Sequence, residues 1–409
     1  MASFRFDSAL DPQQLALLQA LGRTAGARGV KLWAVGGVVR DSIIGTPAHD
    51  IDITSEAPAD ELAHVLVSVL GGAAGPMTRF ATVKLTIQGR HFDLATTRTE
   101  TYPQPATLPV ITPSTLNEDL NRRDFTINAM AASLAPADFG DVIDPHGGSA
   151  DIAAHRVKAL HLRSFQEDPT RGFRAVRYAS RLGFRIELRT ARSLRRDSSL
   201  IQQLSGTRIR HEIERMLDEP RAAAALLESH RYGLLGQIHP ALGTSAVERT
   251  LRSAVRANLT GLELLAALMY PLSTGDVTVL VNRLSLPRQH SNLVRSTVRI
   301  REAESQLNGV PPSSVDMIVG PAPGAALASV AAVSPSPNVR ASLRRYVRQS
   351  GLIVRHLNGD ALARIGVPPG IVTGQALQAL RQAELDNKVR TLQGALLFVK
   401  RWLSTTLED

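Results

Sequence analysis

The period of the apolar positions changes along this chain near residue 150. Before it, short apolar runs and alternating segments predict strands, of which the clearest pair is 80–88 and 91–95 across a turn at Gly89-Arg90. From Asp151 onward the apolar residues recur at helical spacing and strand signals nearly vanish. The pattern predicts an α+β fold, with strands near the N-terminus and an all-α remainder.

Local start and stop signals predict where individual helices and loops lie. Asp11-Pro12 and Pro169 each mark the beginning of a predicted helix, and a charged helix is predicted over 208–217. Residues 101–117 contain four prolines and predict an extended or mobile loop.

The same signals divide the chain into five expected segments. The segment 308–338 is rich in Pro, Gly and Ser, and we expect it to be an irregular connection between helical parts. The expected organisation is a head at 1–145, a helical neck at 146–220, a helical body at 221–307, that connection, and a helical tail at 339–409.

Residues 33–54 combine a glycine pair with two closely spaced carboxylates. An apolar run ends at Gly36 and Gly37, where a phosphate can approach the backbone. Asp50 and Asp52 alternate with isoleucines, so on a strand both carboxylates point the same way. A divalent cation between them removes their repulsion. The stretch predicts a metal and nucleoside triphosphate site; the alternative is an open strand face with two solvated carboxylates.

Further charged residues lie where they can join this site. Asp93 is expected near the end of the same sheet, and a surface carboxylate is its alternative. Phosphate and ribose hydroxyls can be bound by Arg122 and Arg123 beside Asp124 and Asn128, although a capped helix start with Asp124 as its N-cap is the alternative.

The neck carries a second candidate cluster. Asp168 and Arg171 are three residues apart and share a helix face, where an ordinary surface ion pair is the alternative reading. Arg171, Arg174 and Arg177 form a basic stripe on the predicted helix.

Composition sets limits on partners and ligands. The 409 residues carry a formal net charge of +10, which favours a polyanionic partner. Only five of the 47 basic residues are lysine; arginine suits bidentate phosphate contacts, and a GC-rich genome is the alternative explanation of this excess. Without cysteine, a metal site must use oxygen or imidazole ligands. No apolar run reaches the roughly 20 residues that span a membrane, and the first ten residues lack a signal-peptide core. We expect a cytoplasmic protein with no membrane association and no obligate protein partner.

Taken in order, these motifs resemble those of the class II tRNA nucleotidyltransferases, the bacterial CCA-adding enzymes. The resemblance is strongest over residues 33–217. It rests on Gly36-Gly37-x-x-Arg40-Asp41-x-x-x-Gly45 with Asp50-x-Asp52, on Arg122-Arg123-Asp124-Phe125-Thr126-x-Asn128-Ala129, and on Glu167-Asp168-x-x-Arg171.

The resemblance implies a fold, a reaction and a set of site residues. The head would be a nucleotidyltransferase domain of the DNA polymerase β-like superfamily, built on a small mixed β-sheet. It would add nucleotides from CTP and ATP to the 3′ end of tRNA without a nucleic-acid template. Asp50 and Asp52 would bind two Mg²⁺ ions, with Asp93 as the third catalytic carboxylate. The helical part would hold the acceptor arm and elbow of tRNA. The residues implied for the nucleotide are Gly36, Gly37, Arg40, Arg123, Asp124, Asn128, Asp168, Arg171, Arg174 and Arg177, and those for tRNA are Arg208, Gly366 and Gly370.

In this family the pair resembling Asp168 and Arg171 reads the incoming base. A carboxylate accepts from an exocyclic amine and a guanidinium donates to ring acceptors. Cytosine and adenine each present an amine beside a ring acceptor, whereas uracil and guanine do not. One such pair therefore accepts CTP and ATP and rejects UTP and GTP.

The loop after Glu100 departs from the family pattern. CCA-adding members usually have a basic patch there, but residues 101–110 contain no basic residue. Members with a degraded element resemble the CC-adding subgroup, so the sequence favours addition of two C residues and leaves full CCA addition open. A bacterial poly(A) polymerase, which shares most motifs, and a non-catalytic RNA-binding protein on the same scaffold are the alternatives.

Overall fold

The computed structural model describes residues 6–48, 50–353 and 356–406. It contains two compact units: Met1–Arg208 with Arg231–Gln237, and Ile209–His230 with Ile238–Asp409. The first unit contains the strands and the second is helical, which confirms the predicted α+β class with its sheet near the N-terminus.

A seven-stranded mixed sheet organises the first unit. Its strands lie in the order β3-β4-β5-β2-β1-β8-β9, and every neighbouring pair is antiparallel except the central β2–β5 pair. A separate hairpin consists of β6 and β7, and β10 pairs with β11 in parallel. The bounds are β1 Trp33–Val35, β2 Asp52–Ser55, β3 Ala73–Ala74, β4 Thr82–Ile87, β5 Arg90–Thr96, β6 Arg98–Thr101, β7 Val110–Pro113, β8 Ala131–Ser133, β9 Val142–Ile143, β10 Arg156–Val157 and β11 Arg185–Ile186.

The helices of the first unit begin where local capping chemistry allows. The first starts as predicted, because the Asp11 carboxylate accepts from the backbone N–H of Gln14 at 2.8 Å and Pro12 occupies the first turn. The bounds are α1 Pro12–Gly26, α2 Gly37–Ile44, α3 Ala59–Leu70, α4 Leu116–Asn121, α5 Gly148–Ala153, α6 Ser164–Glu167, α7 Thr170–Leu182 and α8 Leu188–Asp197.

The rest of the described chain is helical. The predicted charged helix is present as α9 Gly206–Leu217. It is followed by α10 Ala222–Arg231, α11 Leu234–Ile238, α12 Ser245–Arg256, α13 Gly261–Met269, α14 Thr274–Arg283, α15 Arg288–Glu302, α16 Pro312–Val319, α17 Gly324–Val333, α18 Pro337–Leu352, α19 Gly359–Arg364, α20 Ile371–Leu385 and α21 Leu392–Thr406.

Two proline-rich segments are more ordered than their composition predicts. The segment 308–338, expected to be a boundary or an irregular connection, contains α16 and α17, so it is not irregular. Pro312 lies in the first turn of α16 and Pro323 is the N-cap of α17, positions where proline costs no helical hydrogen bond. The loop expected at 101–117 is partly the hairpin β6–β7, whose turn contains three of the four prolines.

Among the described helices, none is both long enough and apolar enough by itself to cross a membrane. Only α16 and α17 pass that test as a pair, and they are bent by 114° at the break between them.

Candidate active site

Two of the predicted catalytic carboxylates meet at the centre of the sheet. Asp52 on β2 is the direct register partner of Asp93 on the parallel strand β5. Burial raises the pKa of Asp52 to about 6; the nearby Asp93 and Asp50 carboxylates add to this, and Arg123 opposes it. Burial and the neighbouring carboxylates therefore disfavour the ionised form of Asp52, and a bound cation would remove this unfavourable free energy.

Asp50 lies outside the strand on which the sequence placed it. The pairing of β2 with β5 begins at Asp52, and Asp50 precedes it as an exposed residue. Within the ranges that the structure describes, no three His, Asp or Glu side chains are gathered closely enough to hold a metal ion. The carboxylate oxygens present are nonetheless the donors that hard divalent cations prefer.

The glycine pair lies next to an arginine. Gly36 has a φ of +70°, and a Cβ at this position would lie 2.9 Å from Nη1 of Arg123. Arg123 is held by the buried Asp119, which accepts from its Nη2 at 2.9 Å. Gly36 therefore gives the Arg123 guanidinium room to lie against the backbone beside the strand that ends at Val35.

Arg40 is buried and its guanidinium contacts other protein groups. It donates to both oxygens of Asp41, at 2.8 and 3.0 Å, and to Oδ1 of Asn128 at 2.6 Å. Asn128 in turn donates to Oδ1 of Asp124 at 3.0 Å. With 3% of its surface exposed, Arg40 supports the polar residues around it.

The chain of hydrogen bonds continues to the neck helix α7. Arg174 donates to Oδ2 of Asp124 at 2.8 Å through Nε. Burial alone would raise the pKa of Asp124, but Arg174 and the hydrogen bond from Asn128 outweigh it and lower that pKa to about 2. The Asp124 carboxylate is thus ionised and links the head to the neck.

The basic stripe of α7 surrounds one aromatic ring. The guanidinium carbons of Arg177, Arg40 and Arg174 lie 4.8, 5.3 and 5.6 Å from the centre of the Tyr178 ring. Phe125 meets the same ring edge-on at 5.9 Å. Arg177 is 8% exposed, so this part of the predicted nucleotide-binding stripe is largely covered.

Asp168 and Arg171 lie together at the start of α7 but form no ion pair with each other. Arg171 is buried and donates to Oγ of Ser164 at 2.8 Å and to the carbonyl oxygen of Arg122 at 2.9 Å. Asp168 accepts instead from Nη2 of Arg208 at 2.7 Å. The structure therefore does not contain the surface ion pair between Asp168 and Arg171 that their spacing allowed.

The residues predicted to contact tRNA are dispersed. Arg208 lies in the first turn of α9, beside Asp168. Gly366 follows α19 with a φ of +88°, and Gly370 is the N-cap of α20 with a φ of +99°. Both glycines provide backbone conformations that other residues rarely adopt.

A polar cleft beside Arg171 was not predicted from the sequence. Tyr102 donates from its hydroxyl to Glu100 at 2.8 Å, and Arg122 donates to the same carboxylate at 2.7 Å. These residues come from separate segments, and no spacing along the chain indicates that they meet. The cleft has a volume of about 240 Å³ and is lined by Thr99, Glu100, Tyr102, Glu118, Asn121, Arg122, His161 and Glu167.

Two family models match parts of this chain. The family described as "Poly A polymerase head domain" matches residues 32–158, and "Probable RNA and SrmB- binding site of polymerase A" matches residues 183–244. The first match contains the Asp52–Asp93 pair and the Arg123–Asn128 cluster.

Curated relatives differ in the nucleotides named for them. An A-adding tRNA nucleotidyltransferase of Geobacter sulfurreducens is 30% identical over 92% of this chain and 46% of its own length. A CC-adding tRNA nucleotidyltransferase of the same organism is 28% identical over 93% of this chain and 94% of its own. The chain spans half or less of the A-adding relatives it matches.

Solved structures match the whole chain. A CCA-adding enzyme in its apo form II has a TM-score of 0.83 at 28% identity, over 98% of this chain and 100% of that one. The Thermotoga maritima CCA-adding enzyme complexed with tRNA has a TM-score of 0.79 at 27% identity, with the same coverage. The predicted resemblance is confirmed: this chain is similar over nearly its whole length to bacterial tRNA nucleotidyltransferases, and its residues 32–158 match the poly(A) polymerase head domain.

Proposed function

We propose that this protein adds nucleotides from CTP or ATP to the 3′ end of tRNA, without a nucleic-acid template and with release of pyrophosphate. The observation that carries the proposal is the register of Asp52 with Asp93, beside the Gly36–Arg123 contact. Solved relatives described as bound to tRNA, ATP and CTP, which match nearly all of this chain, support it.

Family members generally use divalent metal ions, and we propose Mg²⁺, two ions per active site. Asp52 and Asp93, which are register partners, would hold them with their hard oxygen donors. Asp50, which lies two residues before Asp52 and outside the strand, would join them as a further ligand. When bound, the metal supplies activation of the attacking 3′-hydroxyl and charge stabilisation of the leaving pyrophosphate.

The protein residues would bind and orient the nucleotide. Arg123, which is partly exposed beside Gly36, would neutralise triphosphate charge. Asp124 and Asn128 would face the ribose. Arg40 and Arg174 would act by holding Asn128 and Asp124 in place, since they donate directly to those side chains.

Base choice would fall to Asp168 and Arg171. The Asp168 side chain is 21% exposed and accepts hydrogen bonds, whereas Arg171 is a buried donor. Such a pair matches an exocyclic amine beside a ring acceptor, as in cytosine and adenine. The uracil edge presents a carbonyl in place of the amine and would leave the carboxylate unpaired.

We further propose that the product is CC, because residues 101–110 contain no basic residue. Terminal A addition is the second candidate, because an A-adding relative is 30% identical over 92% of this chain. Full CCA addition is the third, since the matching structures are CCA-adding enzymes.

One experiment separates these products. Three transcripts of one tRNA, ending at the discriminator base, after C and after CC, are incubated with CTP, ATP or both, and the products are sequenced at their 3′ ends. Two C residues on the first transcript and no extension of the third support CC addition. Extension of the third transcript by ATP, with no extension of the first by CTP, indicates A addition. A complete CCA on the first transcript indicates the full activity.

The same assay tests the remaining alternatives. Long A-tails on an unrelated RNA would identify a poly(A) polymerase. No incorporation on any transcript with Mg²⁺, while the protein still binds tRNA, would identify a non-catalytic RNA-binding protein.

The helical segments would supply tRNA recognition. We propose that the neck at 146–220 contributes to nucleotide selection, and that the body at 221–307 and the tail at 339–409 hold the acceptor arm and elbow. Arg208, Gly366 and Gly370 are the proposed tRNA contacts among them, and the cytoplasm is the proposed location.

A further inference from the structure

We propose that Arg208 is a positioning residue for base selection, which couples the loop 101–110 to the carboxylate of Asp168. The inference rests on the proposed function and deepens it, because it concerns how the base-reading pair is held. It assigns to Arg208 a role within the protein that is separate from any contact with tRNA.

The guanidinium of Arg208 contacts two segments that are far apart in sequence. Its Nη2 donates to Oδ1 of Asp168 at 2.7 Å, and its Nη1 donates to the carbonyl oxygen of Ala106 at 2.6 Å. A guanidinium is planar and rigid, so these two hydrogen bonds fix the distance between the loop and the carboxylate. A displacement of Ala106 would therefore be transmitted to Asp168.

Arg208 also helps to determine which oxygen of Asp168 faces the base. Thr170 donates to Oδ1 through its backbone N–H at 3.0 Å and its hydroxyl at 2.6 Å, and Arg208 is the third donor to that oxygen. Across the described ranges, every hydrogen bond to this carboxylate ends on Oδ1. Oδ2 is therefore the acceptor available to an exocyclic amine.

The backbone of the loop is shaped to make this contact. Ala106 has a φ of +62°, a conformation that residues with a Cβ rarely adopt, and it is 7% exposed. The strained conformation persists where the surroundings hold it, and the hydrogen bond from Arg208 is part of those surroundings. The strain at Ala106 is thus linked to the position of its carbonyl group.

The same loop contacts the other member of the base-reading pair. The ring of Tyr102 lies 6.0 Å from the guanidinium carbon of Arg171, and its hydroxyl is 3.5 Å from Nη2 of Arg171. The loop 101–110 therefore meets Arg171 directly and Asp168 through Arg208. A change in the loop would alter the donor and the acceptor of the pair together.

The test compares Arg208→Ala and Arg208→Lys with the control Arg215→Ala, which removes an exposed arginine from the same helix. Incorporation of the preferred nucleotide and of UTP is measured in single turnover, and tRNA affinity is measured without nucleotide. We expect Arg208→Ala to lower the preference over UTP by about tenfold or more, as for loss of a charged hydrogen bond. The control Arg215→Ala should leave the preference over UTP nearly unchanged. Because Arg208 is also a proposed tRNA contact, its tRNA affinity is measured separately, and the inference predicts a loss of preference at saturating tRNA.

A variant of the loop keeps the test decisive if Arg208→Ala folds poorly. Ala106→Val touches no charged group, but a β-branched residue strongly disfavours a φ of +62°, so it should displace the carbonyl group at 106 and lower discrimination in the same direction. Ala106→Gly, which adopts this conformation readily, is its control and should keep the discrimination. In a double-mutant cycle, Arg208→Ala should add little to the loss caused by Asp168→Asn, because both act through one hydrogen bond.

The outcomes separate this inference from the proposed function. Weaker tRNA binding with unchanged nucleotide preference would overturn the inference and identify Arg208 as a tRNA contact. Additive losses in the double-mutant cycle would also overturn it. If the unmodified protein adds no nucleotide to any tRNA, the proposed function itself fails.

Discussion

Asp52 is the residue on which the proposed transfer depends most directly. It is paired in register with Asp93, and burial raises its pKa to about 6. We expect Asp52→Ala to lower transfer by about a hundredfold or more, since transition-state charge would lose its stabilisation. Affinity for tRNA should stay near normal. Incorporation kinetics and a filter-binding assay measure the two effects.

The matched control for Asp52 is Glu61→Gln, which changes an exposed carboxylate in the first turn of α3. This variant should transfer nucleotides at the normal rate. A large fall in the tRNA affinity of Asp52→Ala would contradict its assignment to metal binding.

Asp168 is the residue whose change should alter base choice more than stability. Its side chain is partly exposed, so Asp168→Ala removes an acceptor without opening a buried cavity. We expect the preference for the natural nucleotide over UTP to fall by about tenfold or more, the value of a hydrogen bond to a charged group. Competition between labelled CTP and UTP measures it, and unchanged discrimination would exclude the base-reading role.

Asp124 gives a prediction of pH dependence. Its pKa is lowered to about 2 in the folded protein by Arg174 and Asn128, against the effect of burial, from an ordinary 3.8. A depressed carboxyl pKa stabilises the fold above pH 4, and this stabilisation is lost as the pH falls through 2. At pH 6, Asp124→Asn should lower the free energy of unfolding by roughly 2 kcal/mol.

Urea unfolding at pH 6, 4 and 3 measures this effect. The difference between Asp124→Asn and the unmodified protein should narrow as the pH falls, whereas Glu61→Gln should differ little at any pH. If the difference in the free energy of unfolding is constant with pH, the interactions with Arg174 and Asn128 do not stabilise the ionised Asp124 carboxylate.

At the scale of elements, three helices of the second unit are joined through one carboxylate. Asp316 on α16 accepts from Tyr346 on α18 at 2.7 Å and from Nε and Nη2 of Arg381 on α20 at 2.9 and 2.8 Å. Asp316→Ala should lower the free energy of unfolding by about 1–3 kcal/mol, since it leaves both partners without their acceptor. Thermal unfolding measures the loss.

The control for this element is Asp360→Ala, which removes an exposed carboxylate from the first turn of α19. It should leave the unfolding temperature within about one degree, as surface substitutions usually do. Equal effects of the two variants would show that the three-helix junction adds no stability beyond that of an ordinary surface charge.

The elements also show what local sequence can and cannot predict. The start of α1 was predicted because the Asp11-Pro12 signal acts over three residues. The helix α16 was missed because a proline at a helix start and a proline in a connection look alike without tertiary contacts. The order of the motifs predicted Asp52, Arg123 and Asp168 as site residues. The contacts of Arg208 with Asp168 and Ala106 join residues 40 and 102 positions apart, so no local pattern could predict them.

At the scale of the whole molecule, the net charge of +10 predicts salt-sensitive tRNA binding. Each phosphate neutralised by an arginine releases a counterion, so affinity should fall by about a thousandfold between 50 and 200 mM salt if six phosphates are contacted. Fluorescence anisotropy with labelled tRNA measures the slope. An affinity that is independent of salt would show that the arginines do not meet the phosphate backbone.

The parallel pairing of β2 with β5 has a consequence for folding. The two strands are separated by α3, β3 and β4, so Asp52 and Asp93 become neighbours only after this long crossover has closed. A slip of one residue would place Phe92 or Leu94 beside Asp52 and turn Asp93 to the opposite face. Only a correctly registered sheet presents both carboxylates at one place, so cation binding would report that β2 and β5 have paired in the correct register.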